Sequence, residues 1–333
     1  MPDKKIRSTV ILTRRQIEKM IAMPQALKIV EKAFIAHGRG AVKMPPKIYI
    51  HLDRNKGDFR AMPAYVEGTG ACGVKWVNVH PHNSSRGLPA VMAVIILSDR
   101  LTGYPLAIMD GTHITNLRTG AAGGVAAKYL ANRNSSNIGL VGCGVQSIYQ
   151  LLSLRELFKI KTVAIYDLSQ ARVKRSSDAI RRLGYKVERC GSVRDCVSGR
   201  DIVVTTTPSR RPIVKAGWIS PGTHINAIGA DAKGKEELEA ALLKKARIFV
   251  DDIPQAAHSG EINVPLSKGR ITKRDIQATL GQVVTGRKRG RLSREEITVF
   301  DSTGLAIQDI SVAYCVYNKS LAAPGRFKRI SLV

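Results

Sequence analysis

The run Gly142-Cys143-Gly144-Val145-Gln146-Ser147 follows an apolar stretch, Ile138–Val141, and precedes an amphipathic one. A strand turning into a helix at this point would carry a phosphate site. Gly142 permits the tight turn, Gly144 lets the backbone approach a pyrophosphate, and a helix N-terminus offers N–H groups to the anion. Ser147 replaces the third glycine of G-x-G-x-x-G and is small enough for the close helix–strand contact that glycine usually provides. Asp167, which closes Ile165-Tyr166-Asp167, lies about 20 residues on, where a carboxylate accepts hydrogen bonds from ribose hydroxyls and repels a 2′-phosphate. Gly142, Gly144, Val145, Gln146 and Asp167 therefore form a candidate dinucleotide site that favours NAD over NADP. Lys75 lies within the apolar run Gly73–Val79. A buried ammonium there needs an anion, either in a structural ion pair or on a ligand. Asp231, in Gly229-Ala230-Asp231, reads as the end of the fifth strand of a parallel sheet. That edge binds ligands in such sheets, and a carboxylate there could take a proton; otherwise it is a surface-loop acid. His80-Pro81-His82 has no nearby cysteine or paired acids, so no metal is expected.

These residues need elements to position them. Residues 13–39 read as a helix interrupted at Pro24, with Ile17, Met20, Ile21, Leu27, Val30 and Phe34 near helical spacing. From Met44 to Asp110 the pattern is strand-like, with runs at Lys47–Leu52, Gly73–Val79, Val91–Leu97 and Pro105–Met109. Such runs between Gly, Pro, Asn and Asp suit an α+β domain with a mostly antiparallel sheet. A helix over Thr115–Leu130 contains Gly120, Gly123 and Gly124; glycine costs about 1 kcal/mol in a helix, so another backbone or a ligand must come close. From Asn137 to Val250 six apolar runs (Asn137–Val141, Thr162–Tyr166, Lys186–Cys190, Ile202–Thr206, His224–Ile228, Ile248–Val250) alternate with helical stretches such as Val145–Phe158. That alternation predicts a doubly wound parallel sheet of Rossmann type. The last segment, Ile297–Val333, carries a strand, a turn and a helix that return to the first domain. The expected fold is thus α/β: a substrate-binding and dimerisation domain over 1–118, completed by about 305–333, and a NAD-binding domain over 119–304.

The length of 333 residues accommodates two cores. Five scattered cysteines (Cys72, Cys143, Cys190, Cys196, Cys315) form no C-x-x-C pair, which argues against a disulfide framework or a zinc site. No apolar run reaches about 18 residues, and residues 1–15 are charged throughout; a cytoplasmic protein with no membrane span is expected. The net charge is +27. Its lysines and arginines are spread along the chain, and the densest run, Arg287-Lys288-Arg289-Gly290-Arg291, lacks interleaved aromatics. A solvated loop suits that run better than a nucleic-acid site, and steering of anionic substrates is the alternative use of the charge.

Several further segments carry a specific resemblance. They are Met44-Pro45-Pro46-Lys47, Gly73-Val74-Lys75-Trp76-Val77-Asn78, Asn116-Leu117-Arg118-Thr119-Gly120-Ala121, Asn226-Ala227-Ile228-Gly229-Ala230-Asp231, Gly260-Glu261-Ile262-Asn263 and Asp301-Ser302-Thr303-Gly304. With them the chain resembles the ornithine cyclodeaminase/μ-crystallin family from about Met44 to about Val316, most closely its archaeal alanine dehydrogenase branch. The resemblance implies that Lys75 and Arg118 hold a substrate α-carboxylate, with Lys47 lining the same pocket. It makes Asp231 the general acid/base, with Lys75 beside it in the catalytic set, and brings Thr119, Thr205 and Ser302 to the cofactor, although Thr205 also reads as a plain strand terminus. It implies a homodimer joined through first-domain sheets. In this family a hydride leaves the α-carbon of an amino acid for nicotinamide, giving an imine. Hydrolysis of the imine releases keto acid and ammonia, capture by a δ-amine gives cyclodeamination, and reduction of a cyclic imine (ketimine or pyrroline-2-carboxylate) is the remaining activity. The cyclodeaminase carries a glutamate before a Leu-Met-Pro-like turn to hold the ornithine ammonium; here the turn reads Arg60-Ala61-Met62-Pro63. Arginine cannot hold an ammonium, so Arg60 favours NAD-dependent oxidation of L-alanine over conversion of L-ornithine to L-proline. A μ-crystallin-like binding protein would not require Asp231.

Overall fold

In a computed structural model the chain is described over residues 8–323 and 325–332. The first seven residues of the charged N-terminal stretch, and Val333 at the end of the last segment, lie outside the described residues. The chain divides into two compact units, Met1–Arg118 with Leu305–Val333, and Thr119–Gly304.

In the first unit β1 (Thr9–Leu12) leads into α1 (Arg14–Met20) and α2 (Met23–Gly38). The break between these helices falls at Ile21-Ala22, before Pro24. Pro24 sits in the first turn of α2, where a missing N–H leaves no bond unmade. A meander follows: β2 (Val42–Lys43), β3 (Ile48–Leu52), β4 (Gly57–Val66), β5 (Ala71–Val79), β6 (Val91–Ser98) and β7 (Pro105–Asp110). Arg60-Ala61-Met62-Pro63 is therefore no turn but the middle of β4. Pro63 is tolerated because β3 pairs with residues up to Ala61 and β2 begins pairing at Tyr65. The proline falls in the gap, where no partner needs its N–H. The helix α3 (Thr112–Leu130) starts three residues before the stretch read from sequence, and the division between the units falls inside it.

The second unit runs β8 (Asn137–Val141), α4 (Val145–Leu154), β9 (Thr162–Tyr166), α5 (Gln170–Arg182), β10 (Lys186–Arg189), α6 (Val193–Val197), β11 (Ile202–Thr205), β12 (Arg210–Val214), β13 (His224–Ala227), β14 (Glu236–Leu238), α7 (Ala240–Lys245), β15 (Arg247–Val250), α8 (Ile253–Ser259), α9 (Asn263–Ser267), β16 (Ile276–Thr279), α10 (Leu280–Val284) and β17 (Thr298–Asp301). Its main sheet has the order β10-β9-β8-β11-β13-β17-β15-β16, and every pairing is parallel. The central strands are buried almost throughout, β8 and β11 almost wholly apolar and β13 carrying buried His224 and Asn226 on one face, as a parallel sheet covered on two sides requires. The order reverses at β8, so the loops after β8 and β11 flank the crevice where doubly wound sheets take ligands. The helix α4 stops at Leu154 short of Phe158, because the Leu154 carbonyl takes both the Leu157 and the Phe158 N–H in a closing turn.

Glycines in α3 have a steric reason. A Cβ on Gly120 would run into the Tyr149 carbonyl, and one on Gly123 into the Gln150 amide. Arg291 departs from the solvated-loop reading of the basic run. Arg287, Lys288 and Arg289 are exposed, but the Arg291 guanidinium turns inward to the Leu130 carbonyl at 2.7 Å and the Thr298 hydroxyl at 3.0 Å.

The chain then returns to the first unit as α11 (Ala306–Leu321) and β18 (Arg329–Ile330). The sheet there has the order β18-β1-β7-β6-β5-β4-β2, with β3 also on β4. Pairing is antiparallel from β2 to β7, while β1 is parallel to β7. The helix α11 covers one face across β4, β5 and β6.

Candidate active site

Cross-strand register puts Arg60 opposite Val77 and Met62 opposite Lys75, so Arg60 and Lys75 project from one face of the first unit's sheet. Lys75 is 1 % exposed, and its Nζ lies 2.8 Å from Asp309 Oδ2. Arg118 reaches the other oxygen of the same carboxylate, Nε to Oδ1 at 2.9 Å, and donates through a terminal nitrogen to Gln308 Oε1 at 2.9 Å. Thr115 completes the cluster with a long 3.5 Å contact to Asp309 Oδ1. Asp309 is fully buried in the first turn of α11. The anion that Lys75 needs is thus supplied by the protein, and it is shared with a second cation. With Lys75 protonated, two positive groups around one carboxylate leave the cluster one net positive charge. Burial pushes the Lys75 ammonium down to about 7; Asp309 opposes that shift, and Arg118 and, more weakly, Lys47 reinforce it. Arg60 is held bidentately by Asp58, at 2.7 and 3.1 Å, with its guanidinium over the Tyr49 ring. Lys47 is half-buried immediately before β3.

In the second unit Gly142 has φ +97, and a Cβ there would strike Thr206; only glycine makes this turn. Gly144 forms the N-cap of α4 with no side-chain cap, and open space lies where its Cβ would be. The first turn of this ten-residue helix thus has no side-chain cap, and helix N-termini of this kind offer N–H groups to an anion. Ser147 is buried and donates its hydroxyl to the Gly144 carbonyl at 2.7 Å, which fixes the loop from within. Val145 is 61 % exposed at the start of α4, and Gln146 follows in the same first turn. Asp167 accepts the Cys143 N–H at 2.9 Å and the Ser169 N–H at 2.8 Å, so the carboxylate is tied to the loop it was expected to accompany. Burial, reinforced by Asp167, drives the Cys143 thiol up to about 12; this cysteine is an inert packing group.

Asp231 does not end the fifth strand. β13 stops at Ala227, and Asp231 lies in the loop beyond, because Gly229 and Ala230 leave the sheet direction. Its carboxylate is 2.6 Å from Lys235 Nζ. Thr205 does end β11, but its hydroxyl is turned inward to Glu237 at 2.7 Å. The neighbour that touches the glycine loop is Thr206, which donates to the Gly142 carbonyl at 3.1 Å. Thr119 lends its carbonyl to Gln150 Nε2 at 2.9 Å. The Asp301-Ser302-Thr303-Gly304 turn is fixed by Asp251, which accepts the Thr303 and Gly304 N–H groups at 2.7 Å each. Ser302 is 3 % exposed, and its hydroxyl has no partner among the described residues.

Asp309, Gln308, Asp58, Thr206 and Glu237 are the groups that sequence reasoning missed. Asp309 had a signal, a lone acid in the apolar stretch Leu305–Val316; Glu237, inside Lys233-Gly234-Lys235-Glu236-Glu237, reads as surface. His80 packs edge-on against Phe59, and its Nδ1 pairs with the Asn78 amide at 3.0 Å. Among the described residues no group of His, Cys, Asp and Glu is arranged to hold a metal, and no helix is long and apolar enough to cross a membrane.

Over 316 residues, 94 % of this chain and 96 % of the relative, the sequence is 52 % identical to an alanine dehydrogenase of Archaeoglobus fulgidus. An archaeal alanine dehydrogenase solved as a dimer with bound NAD superposes with a TM-score of 0.94 at 50 % identity, covering 98 % of this chain and all of that one. The Δ1-pyrroline-2-carboxylate reductase of Thermococcus litoralis, solved with NADH and L-proline, matches equally well, at TM-score 0.94 and 37 % identity over 97 % of this chain and all of that one. A family model covers residues 7–323, and with it the chain belongs to the ornithine cyclodeaminase/mu-crystallin family.

Proposed function

We propose that this chain is an NAD-dependent L-alanine dehydrogenase, catalysing the reversible conversion of L-alanine to pyruvate and ammonia. The observation that carries the reading is the charge pattern of the first unit: Lys75, Arg118 and Arg60 lie buried, and the carboxylates that touch them, Asp309 and Asp58, are engaged by these same cations. Such a pocket anchors an α-carboxylate and offers no acid to a side-chain ammonium, so a small amino acid suits it better than ornithine. The alanine dehydrogenase relative at 52 % identity supports the same choice. The second unit fits the nucleotide: the Gly142 turn, the uncapped start of α4, Asp167 and the Ser302 hydroxyl are the groups that would hold it. When bound, NAD would supply the hydride acceptor for the α-carbon. This chain's own residues do the rest. Lys75 and Arg118 hold the carboxylate, Asp231 takes protons from the ammonium and from the water that attacks the imine, and Arg60 and Lys47 line the pocket. The purified chain should convert L-alanine and NAD into equal amounts of pyruvate, ammonia and NADH, and leave L-ornithine unchanged. Proline formed from ornithine without NADH accumulation would overturn the assignment.

The second reading is a cyclic-imine reductase, favoured by the match to the Thermococcus litoralis enzyme. It predicts rapid NADH oxidation by Δ1-pyrroline-2-carboxylate and none by pyruvate with ammonia. We place the substrate site in the 1–118 and 305–333 unit and the nucleotide site in the 119–304 unit. The outer face of the first unit's sheet presents Ile48, Ile50, Trp76, Val94 and Ile96, each between 37 and 62 % exposed, and we assign it to a homodimer.

A further inference from the structure

Glu237 in β14 is fully buried, yet no step of the proposed reaction uses it. Its Oε1 accepts the Thr207 N–H and the Thr207 hydroxyl, both at 2.7 Å. Its Oε2 accepts the Thr205 hydroxyl at 2.7 Å and the Gly229 N–H at 3.0 Å. One carboxylate therefore joins the end of β11 to the residue that opens the Asp231 loop. Glu261 holds Glu237 in place from behind, accepting the main-chain N–H of Glu237 at 2.8 Å and of Leu238 at 2.6 Å. Between the two threonines, Thr206 rests on the Gly142 carbonyl, so the same strand end also abuts the nucleotide loop. Nothing else can occupy this corner: a Cβ on Gly229 would collide with the Thr207 carbonyl and the Glu237 carboxylate. On the other side of the loop Asn263 fixes the turn, its amide meeting the Gly234 N–H at 3.0 Å and the Lys235 carbonyl at 2.9 Å. The Asp231 segment is thus gripped at both ends by buried side chains. Four donors converging on one carboxylate inside a core exceed what packing two strand ends requires, since a buried acid carries a desolvation cost that an apolar residue would not.

We propose that Glu237 is a positioning residue for proton transfer, setting the place of the Asp231 carboxylate relative to the nucleotide loop. This rests on reading Asp231 as the proton-transfer group. A displacement on the order of 1 Å at such a group can lower turnover about a hundredfold. Glu237→Gln keeps the shape but turns an NH₂ toward two of the four donors. We expect kcat for L-alanine to fall about tenfold to a hundredfold, with the KM for alanine and the Kd for NAD held within about threefold. Glu237→Asp keeps the charge but is too short to span both strands, and should not restore turnover. Gly229→Ala pushes the same segment without removing a charge and should show the same split; should Glu237→Gln not fold, this variant alone carries the test. Wild-type kcat in Glu237→Gln, or a Kd for NAD that weakens in step with kcat, would overturn the proposal, because a merely structural role loosens the whole unit. Asp231→Asn separates the two levels. If it is inactive while Glu237→Gln turns over normally, only the Glu237 role fails; if it turns over normally, the Asp231 reading fails and the Glu237 role with it.

Discussion

Lys75 is tolerated inside an apolar sheet face because Asp309 lies 2.8 Å away, but burial still brings its ammonium down to about 7. The sign of the consequence is fixed. In the role proposed for it, Lys75 is charged below that value and attracts the α-carboxylate; above it the free enzyme would lose one of the two proposed carboxylate anchors. The KM for L-alanine should therefore rise as pH climbs through about 7, and Lys75→Arg, which stays protonated, should remove that rise. A wild-type KM that is flat across about pH 6 to 8 would mean that Arg118 alone anchors the substrate. Lys75 was legible in sequence since an ammonium in an apolar strand needs an explanation, and Asp309 could have been found by the same logic. Glu237 could not. It lies among lysines and glutamates that look solvated, and only the fold shows that its side chain points into the core while the Lys233 side of the segment does not.

Helix α3 tests the account at the scale of elements. Its glycines predicted a close approach, and the structure supplies one within the second unit: α4 lies against Gly120 and Gly123. Alanine would gain about 1 kcal/mol of helix propensity, but overpacking against a main-chain carbonyl costs about 1–3 kcal/mol. Gly120→Ala should therefore lower the melting temperature, which calorimetry would show; a rise would mean that α4 shifts freely. The six strands read from sequence between Asn137 and Val250 each appear in the sheet, with ends moved by a residue or so; β8, β9, β11 and β15 show because a parallel sheet buried on both faces writes apolar runs into the chain, while β10 at the edge is mostly exposed. β1 was missed because four residues are too few to show a period. β4 was missed because Arg60 and Pro63 break its apolar alternation, Arg60 in an ion pair with Asp58 and Pro63 between the stretches that pair with β3 and β2.

For the whole molecule, the +27 charge has a consequence for binding. Glu237, Glu261, Asp251, Asp301 and Asp309 are buried, as are the cations Arg60, Lys75 and Arg118, so most of the excess charge lies at the surface. A basic surface draws in the anionic dinucleotide and pyruvate, and the reductive direction should weaken with ionic strength through kcat/KM rather than kcat. Trp76, stacked on Phe59 at 5.3 Å and 40 % exposed, lies at the centre of the apolar outer face. Trp76→Glu should convert a dimer into a monomer by light scattering; an unchanged mass would place the interface elsewhere.

The central claim is that a hydride leaves the α-carbon of an amino acid for NAD. L-Alanine deuterated at that carbon, incubated with the protein and NAD, tests it most directly. The deuterium should appear in the nicotinamide ring of NADH, with one pyruvate formed for each NADH. NADH that carries no deuterium, or a failure of alanine to yield NADH at all, would contradict it.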